Sequence, residues 1–459
     1  MEYQVSGNET QQTVNNGNQV TVAILATDGM CRVKDITAIA ADLAGDGVEV
    51  AFTIVGNMSG GDITALHDTL QGPVGCVATI GEAISQCTSQ WMMFVGSTTR
   101  LASGAIKRLL DKAAASDPVA GVVISGLDVP GEEIFTLQGK LFATSALQGI
   151  EVAPDDVCGN GYVTLQRIMT RARVVAGLGE SVLTRIRLDR KQLLTPAHRE
   201  LIYRMTTIYV EIQMCDRCNL DCAYCSHLSP VSQPVKISLE TLAQECHRLS
   251  RIGVDEVNLM GGEPLLHPQI AEAIALTRSI LPNIKLIVST NGLLLPRMGK
   301  EFWKACRDNK VVIRITPYPK AKGGTWNFFK YVYLIMKNRV KLESTGWRFG
   351  FRHQLLSEKA EFDATANYLR CQLHCTQVRN ATLWPCAYVA YAFNLNNKFG
   401  THFKTSAGDS LLLTDDITVT DVRLWLLRTK PFCAHCGIIN AKHVDWKRSE
   451  YARSEWIQD

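Results

Sequence analysis

CNLDCAYC (218–225) places three cysteines at the spacing C-x3-C-x2-C, directly after the apolar, strand-like run TTIYVEIQ (206–213). Three thiolates can hold three irons of a [4Fe–4S] cluster and leave the fourth iron open to bind and reduce a ligand. The same residues would serve a zinc ion if Cys215 or His227 supplied a fourth donor. Cys215 also forms a C-x2-C pair with Cys218, a spacing that suggests redox or metal chemistry. We read Cys215 as a strand-end residue beside the three and as a candidate hydrogen-donating thiol. Downstream, SLETLAQECHRLSRIG (238–253) has helical spacing, with Ser238 as N-cap and Glu240 in the first turn. Strand-like and helix-like runs then alternate as far as VVIRITPYP (311–319). GGEP (261–264) follows the second strand of this series and STNG (289–292) the third. Open α/β sheets and barrels place their sites at these strand ends.

The chain has 459 residues, enough for about three domains. With 48 Lys+Arg against 44 Asp+Glu, the net charge of +4 is too even for a nucleic-acid or membrane-surface protein. No apolar run reaches the length of a membrane span. Residues 1–18 read as a polar, disordered lead without the pattern of a signal peptide. Fifteen cysteines are then better explained by metal or redox chemistry in a reducing, cytoplasmic setting than by disulfides.

Residues 19–160 alternate strands (VTVAILAT, VEVAFTIVG, WMMFVG, VAGVVISG) with helices, which predicts an α/β domain on a mostly parallel sheet. A basic stretch, 161–204, reads as a helical linker. The second β/α series fills 205–365, and a Cys-rich module 366–459. The expected fold class is therefore α/β with a small Cys-rich C-terminal module. In that module Cys371, Cys375 and Cys386 form one group and Cys433 and Cys436 a C-x2-C pair, which fits a shared metal, either a cluster or structural zinc.

CNLDCAYC, GGEP and STNG in this order resemble the radical S-adenosylmethionine (SAM) superfamily over about residues 206–440. The resemblance implies a partial (β/α)6 barrel. It also implies that Cys218, Cys222 and Cys225 hold a [4Fe–4S] cluster, whose open iron chelates the methionine amine and carboxylate. Tyr224 would pack near the adenine. Gly261 and Gly262 would let the backbone approach the cofactor closely, and Glu263 would meet its ammonium. Ser289 and Asn291 would bond the ribose hydroxyls. Reductive cleavage then yields a 5′-deoxyadenosyl radical that abstracts a substrate hydrogen, and a reductant such as flavodoxin or ferredoxin supplies the electron. The tail resembles the SPASM or shorter twitch modules. These imply a second [4Fe–4S] cluster on Cys371, Cys386, Cys433 and Cys436, with Cys375 as the rival of Cys371 or a spare thiol near the active site. The usual hairpin glycine is replaced by Asn380 or Ala381.

The opening strand and the run TIGEAISQC…VAGVV (79–123) resemble a family-2, GT-A-type glycosyltransferase domain. The positions of its Asp-x-Asp metal motif read Gly96, Ser97, Thr98 and Thr99, so no glycosyl transfer is expected. Thr27, Asp28 and Gly29 would line a remnant nucleotide pocket. The alternatives are a plain α/β brace and, less well matched, a cobalamin domain. CNLDCAYCSHLSP (218–230) further resembles radical SAM proteins related to sugar epimerases, dehydrogenases and dehydratases. The expected substrate is therefore a sugar or glycan attacked at a carbinol carbon, with epimerisation or dehydrogenation as the outcome. Cys375 and then Cys215 are the candidate donor thiols, and His227, Arg314 and Tyr318 candidate hydroxyl ligands. The alternatives are a maturase of a ribosomally made peptide and a non-enzymatic binding protein with structural metal clusters.

Overall fold

The computed structural model describes residues 20–30, 32–58, 60–70, 74–116, 121–127, 136–152, 162–172, 175–185, 203, 205–318, 324–346, 349–371 and 375–458. The chain divides into two compact units: Met1–Leu127 with Gly131–Leu193, and Asp128–Pro130 with Leu194–Asp459.

In the first unit the apolar run that opens at Val20 forms strand β1 (Val20–Met30). Val20, Val22, Ala23 and Ile24 are all fully buried, the mark of a central strand covered on both faces. It is flanked in parallel by β2 (Val50–Asn57) and by β4 (Trp91–Gly96). β3 (Val74–Val77) lies outside β2. The sheet continues beyond β4 through β7 (Leu141–Ala143), β6 (Val122–Ile124) and β8 (Val175–Gly177), with both pairings of β7 antiparallel. The helix Val33–Leu43 buries Ile36, Ile39 and Leu43, one stripe at helical spacing.

Two elements here escape the sequence pattern. β3 and the helix Ile80–Gln86 precede WMMFVG, which is therefore the fourth strand; the helix starts at a capping box of Thr79 and Glu82. The expected helical linker, 161–204, also needs correction. Tyr162–Arg171 is a helix, but β8 and β9 (Leu183–Arg185) are strands. β8 pairs with β6, and β9 with β5 (Arg100–Leu101). Three-residue strands carry no period of their own, and pairing decides them.

After β4 the turn Gly96–Thr99 is tied to Gln138, whose Oε1 accepts from Gly96 N at 2.9 Å and Thr99 Oγ1 at 2.6 Å. Thr27, Asp28 and Gly29 lie on β1, and their side chains fall outside the described part.

The second unit is built on five parallel strands: β10 (Tyr209–Cys215), β11 (Glu256–Gly261), β12 (Lys285–Thr290), β13 (Val312–Ile315) and β14 (Lys341–Ser344). The helix Leu239–Arg251 buries Leu242, Glu245, Cys246 and Leu249, and Ser238 caps it by accepting from Thr241 N at 3.0 Å. Helices Ile270–Ile280, Lys300–Asp308 and Gly324–Lys337 follow the next three strands. The sixth strand expected of a (β/α)6 barrel does not extend the sheet at the β14 edge among the described residues. β15 (Gly350–His353) pairs antiparallel with β19 (Lys442–Asp445) instead. At the other edge β10 takes β16 (Gln377–Arg379) in parallel, followed by antiparallel β17 (Thr382–Trp384) and β18 (Leu411–Leu412).

The β16–β17 hairpin turns on Asn380 and Ala381, at φ 52° and 59°. Both residues of a type I′ turn need positive φ, so Asn and Ala adopt here what glycine does without strain. The tail packs Tyr391, Phe403, Phe432 and Trp456 into one apolar cluster. No helix among the described residues is long and apolar enough to cross a membrane.

Candidate active site

The loop 215–228 leaves the C-terminal end of β10 and turns sharply. Asp221, Tyr224 and Leu228 all carry positive φ (49°, 62° and 55°). Strain of this kind on residues other than glycine persists only where surrounding contacts enforce it. One enforcing contact is the tail. Ala223 N donates to Lys447 O and Ser449 N to Asp221 O, while Trp446 Nε1 donates to Cys222 Sγ at 3.1 Å. A second is the GGEP turn. Gly262 N donates to Cys215 O at 2.7 Å and Glu263 N to Arg217 O at 3.1 Å. A Cβ on Gly261 would run into Cys215 O, and one on Gly262 into Arg217 O and Cys218 N. The two glycines therefore serve first to let two backbone segments touch, and both still border the cavity described next.

That cavity, about 330 Å3, is ringed by Cys218, Cys222 and Cys225, by Gly261 and Gly262, and by Ser289 and Asn291 at the end of β12. Tyr224 also lines it, with its ring 4.2 Å from that of His353. Burial pushes the thiols of all three cysteines up, Cys222 to about 12, with Cys225 adding to the effect on Cys222 and the Trp446 N–H opposing it. Metal ligation takes the thiolate form, so loading the site would release protons. Ser289 Oγ is buried with no hydrogen-bond partner, a free hydroxyl at the cavity edge that suits a polar ligand. Asn291 is committed elsewhere: its Nδ2 donates to Asn219 Oδ1 at 2.7 Å, locking the STNG turn to the cysteine loop.

Glu263 corrects the sequence reading. Its carboxylate does not line the cavity. It is fully buried and accepts from Thr290 Oγ1 at 2.7 Å, Leu265 N at 3.1 Å and Asn291 N at 3.0 Å. Burial raises it to about 7 against those hydrogen bonds. Glu263 is thus a strut between the two turns rather than a group held out to an ammonium.

The candidate thiols also fall elsewhere. Cys215 is buried off the cavity, and burial pushes it up to about 12. Cys375 lines a second, smaller cavity with Cys371, Cys386, Cys433 and Cys436. Burial raises Cys375 first, then Glu211 and Cys386. Cys433 is raised by burial and then by Cys386, Cys371 and Cys436, which places those four thiols within electrostatic reach of one another. Among the described residues no three His, Cys, Asp or Glu groups converge on a single-ion position. Tyr388, Ser226 and Gln354 border both cavities. His227 and Tyr318 line the first cavity, and His227 Nε2 lies 3.4 Å from Glu211 Oε2. Arg314 does not line it; it bonds Glu343 at 3.2 Å.

Sequence reading missed Trp446, Tyr388, Arg352 and Gln354. All four come from the tail or from β15 and the residue after it, and no motif marks them.

A parallel sheet with a three-cysteine loop, a GG turn and a hydroxyl-bearing turn at three successive strand ends defines a class. The Radical SAM superfamily model matches residues 212–317, and the chain carries a domain of that superfamily. The family implies S-adenosylmethionine and a [4Fe–4S] cluster, and the three thiols lining the cavity with the unpartnered Ser289 hydroxyl fit both. Among curated relatives, the GTP 3′,8-cyclase of Clostridium acetobutylicum is 38% identical over 100 residues, 21% of this chain and 31% of that protein. The chain thus spans about a third of the length of that relative. Among solved structures, native anSMEcpe with bound AdoMet and Cp18Cys peptide aligns at 22% identity over 30% of this chain and 42% of its own, with a TM-score of 0.24. S. aureus TarS 1–349 in complex with UDP aligns at 12% identity over 42% of this chain and 64% of its own, with a TM-score of 0.28. Superpositions this partial do not define a shared fold.

Proposed function

We propose that the chain is a radical SAM enzyme that oxidises a carbinol carbon of a sugar or glycan. Cys218, Cys222 and Cys225 hold one [4Fe–4S] cluster. Tyr224, Gly261, Gly262, Ser289 and Asn291 frame the S-adenosylmethionine site, with Glu263 as the strut that fixes the two turns. Cys371, Cys386, Cys433 and Cys436 hold a second cluster, with Cys375 beside it. When bound, these groups supply a hydrogen-abstracting 5′-deoxyadenosyl radical and a second redox centre.

The observation that carries the substrate class is the rest of the first cavity's wall. Ser226, His227, Thr316, Tyr318, Arg352 and Gln354 face it, and Gln354 Oε1 is buried without a partner. A wall of hydroxyl, imidazole, guanidinium and amide groups matches a polyhydroxylated substrate, whose own hydroxyls would satisfy it. His227, backed by Glu211, takes the proton of the substrate hydroxyl at an imidazole nitrogen. The cysteines among the described lining residues are Cys218, Cys222 and Cys225 alone, all assigned to the cluster. Return of a hydrogen from a further thiol therefore lacks a donor there, and the reading favours dehydrogenation over epimerisation. The N-terminal unit is a non-transferring relative of a glycosyltransferase domain that presents or recognises glycan.

The test is anaerobic. Reconstituted protein with dithionite and SAM should release 5′-deoxyadenosine, and a panel of sugar nucleotides and oligosaccharides should include one that is oxidised by two electrons. Release of 5′-deoxyadenosine only with a peptide substrate would replace the sugar reading by the peptide-maturase one.

A further inference from the structure

A third cavity, about 280 Å3, lies apart from both thiol-lined ones, between the end of β10, the first turn of the helix Leu239–Arg251 and the end of β16. Its walls carry two carboxylates, Asp216 and Glu245, and two cations, Lys236 and Arg379. Gln213, Asp216 and Glu245 are only 7%, 6% and 2% exposed. Polar groups buried so deeply are costly unless each is hydrogen-bonded. Most are. Gln213 Nε2 donates to Asp216 Oδ1 at 2.9 Å, Arg379 Nη1 lies 3.5 Å from Asp216 Oδ2, and Ala381 N donates to Glu245 Oε1 at 2.9 Å. Two acceptors remain. Gln213 Oε1 and Glu245 Oε2 have no hydrogen-bond partner, and Arg248 Nη1 stands off the latter at 3.6 Å.

The opposite wall has the other polarity. Lys236 is exposed there, and Ser238 and Thr241 bring the N-terminal turn of a thirteen-residue helix to the cavity. Ser238 Oγ occupies Thr241 N, and the remaining first-turn N–H groups favour a negative charge. The formal charges of the four ionic lining groups cancel, which suits a ligand that carries both signs rather than a simple cation or anion.

We propose that this cavity binds a free amino acid. Its ammonium donates to Gln213 Oε1 and Glu245 Oε2, and its carboxylate faces Lys236 and the helix's first turn. The site is independent of the chemistry assigned to the first cavity.

The full chain should be titrated calorimetrically with the common L-amino acids other than methionine, whose amino and carboxylate groups recur in SAM. At least one should bind saturably, one per chain. Propionate and ethylammonium, each carrying half of the recognised groups, should bind at least tenfold more weakly. Glu245→Gln keeps the acceptor for Ala381 N and should weaken the amino acid at least tenfold. The surface change Lys236→Met should weaken the amino acid and leave ethylammonium unchanged. SAM affinity should stay at the parental value in both variants, which separates this site from the first cavity. Saturable binding by none of the amino acids, or parental affinity in folded Glu245→Gln and Lys236→Met, overturns the proposal.

Discussion

Replacing Gly262 with alanine tests the joint between the GGEP turn and the cysteine loop. The added methyl meets Arg217 O and C and Cys218 N, all backbone atoms that cannot swing aside. Relief requires the two segments to part, which sacrifices the bonds Gly262 N to Cys215 O (2.7 Å) and Glu263 N to Arg217 O (3.1 Å). Two hydrogen bonds at about 1 kcal/mol each, plus overpacking of about 1–3 kcal/mol, put the local cost at about 3–5 kcal/mol. The unit's core is untouched, so the cost should appear as displacement of Cys218 rather than as unfolding. SAM affinity should fall by about 100-fold or more, since about 1.4 kcal/mol is tenfold. Equilibrium filtration with labelled SAM reads the affinity, and iron analysis reads the loss of cluster. Gly253→Ala is the matched control. Gly253 has φ +60°, but nothing lies within 4 Å of its added methyl. It should lose about 1 kcal/mol of stability and no SAM affinity. Parental SAM affinity and iron content in Gly262→Ala would refute the close-approach argument.

The buried Glu263 makes the metal-free chain pH-sensitive. Its carboxyl rises from 4.5 to about 7 on folding, so its contribution is full below pH 4.5 and is lost as pH rises through 7. The total is about 3 kcal/mol at 1.36 kcal/mol per unit. Thermal midpoints of the parent should therefore fall from about pH 5 to pH 8 relative to those of Glu263→Gln, and parallel curves would contradict the burial argument. Trp446→Phe removes the N–H that reaches Cys222 Sγ at 3.1 Å. The midpoint potential of the SAM-site cluster should drop by about 40 mV, the equivalent of about 1 kcal/mol for one electron, in a spectroelectrochemical titration. Ala381→Gly relieves the left-handed turn residue at φ 59° and should raise the melting temperature, with about 0.5–1 kcal/mol gained; an unchanged or lower value would mean that the turn is unstrained.

Much of the second unit is legible because its signals are local. β10 to β13 are apolar runs bounded by turns, and Ser238 announces its helix. The three-cysteine loop, GGEP and STNG mark their own strand ends. The roles inside those motifs are less legible. Glu263 reads as a ligand for an ammonium, yet the turn around it closes on its carboxylate. Cys375 and Cys215 read as donor thiols, yet their positions depend on where β16 and the GG turn fold against β10. Trp446 reaches Cys222, and Gln354 the cavity, across more than a hundred residues of chain, and nothing local records that. β8 and β9 are strands only because β6 and β5 pair with them.

The most direct test of the account is iron per chain after anaerobic reconstitution, in the parent and in the Cys218→Ala/Cys222→Ala/Cys225→Ala variant. Two clusters predict about eight irons in the parent and about four in the variant, the remainder held by the tail thiols. A parent with about four irons, all lost in the variant, would contradict the second cluster; iron unchanged by the triple substitution would contradict the radical SAM site itself.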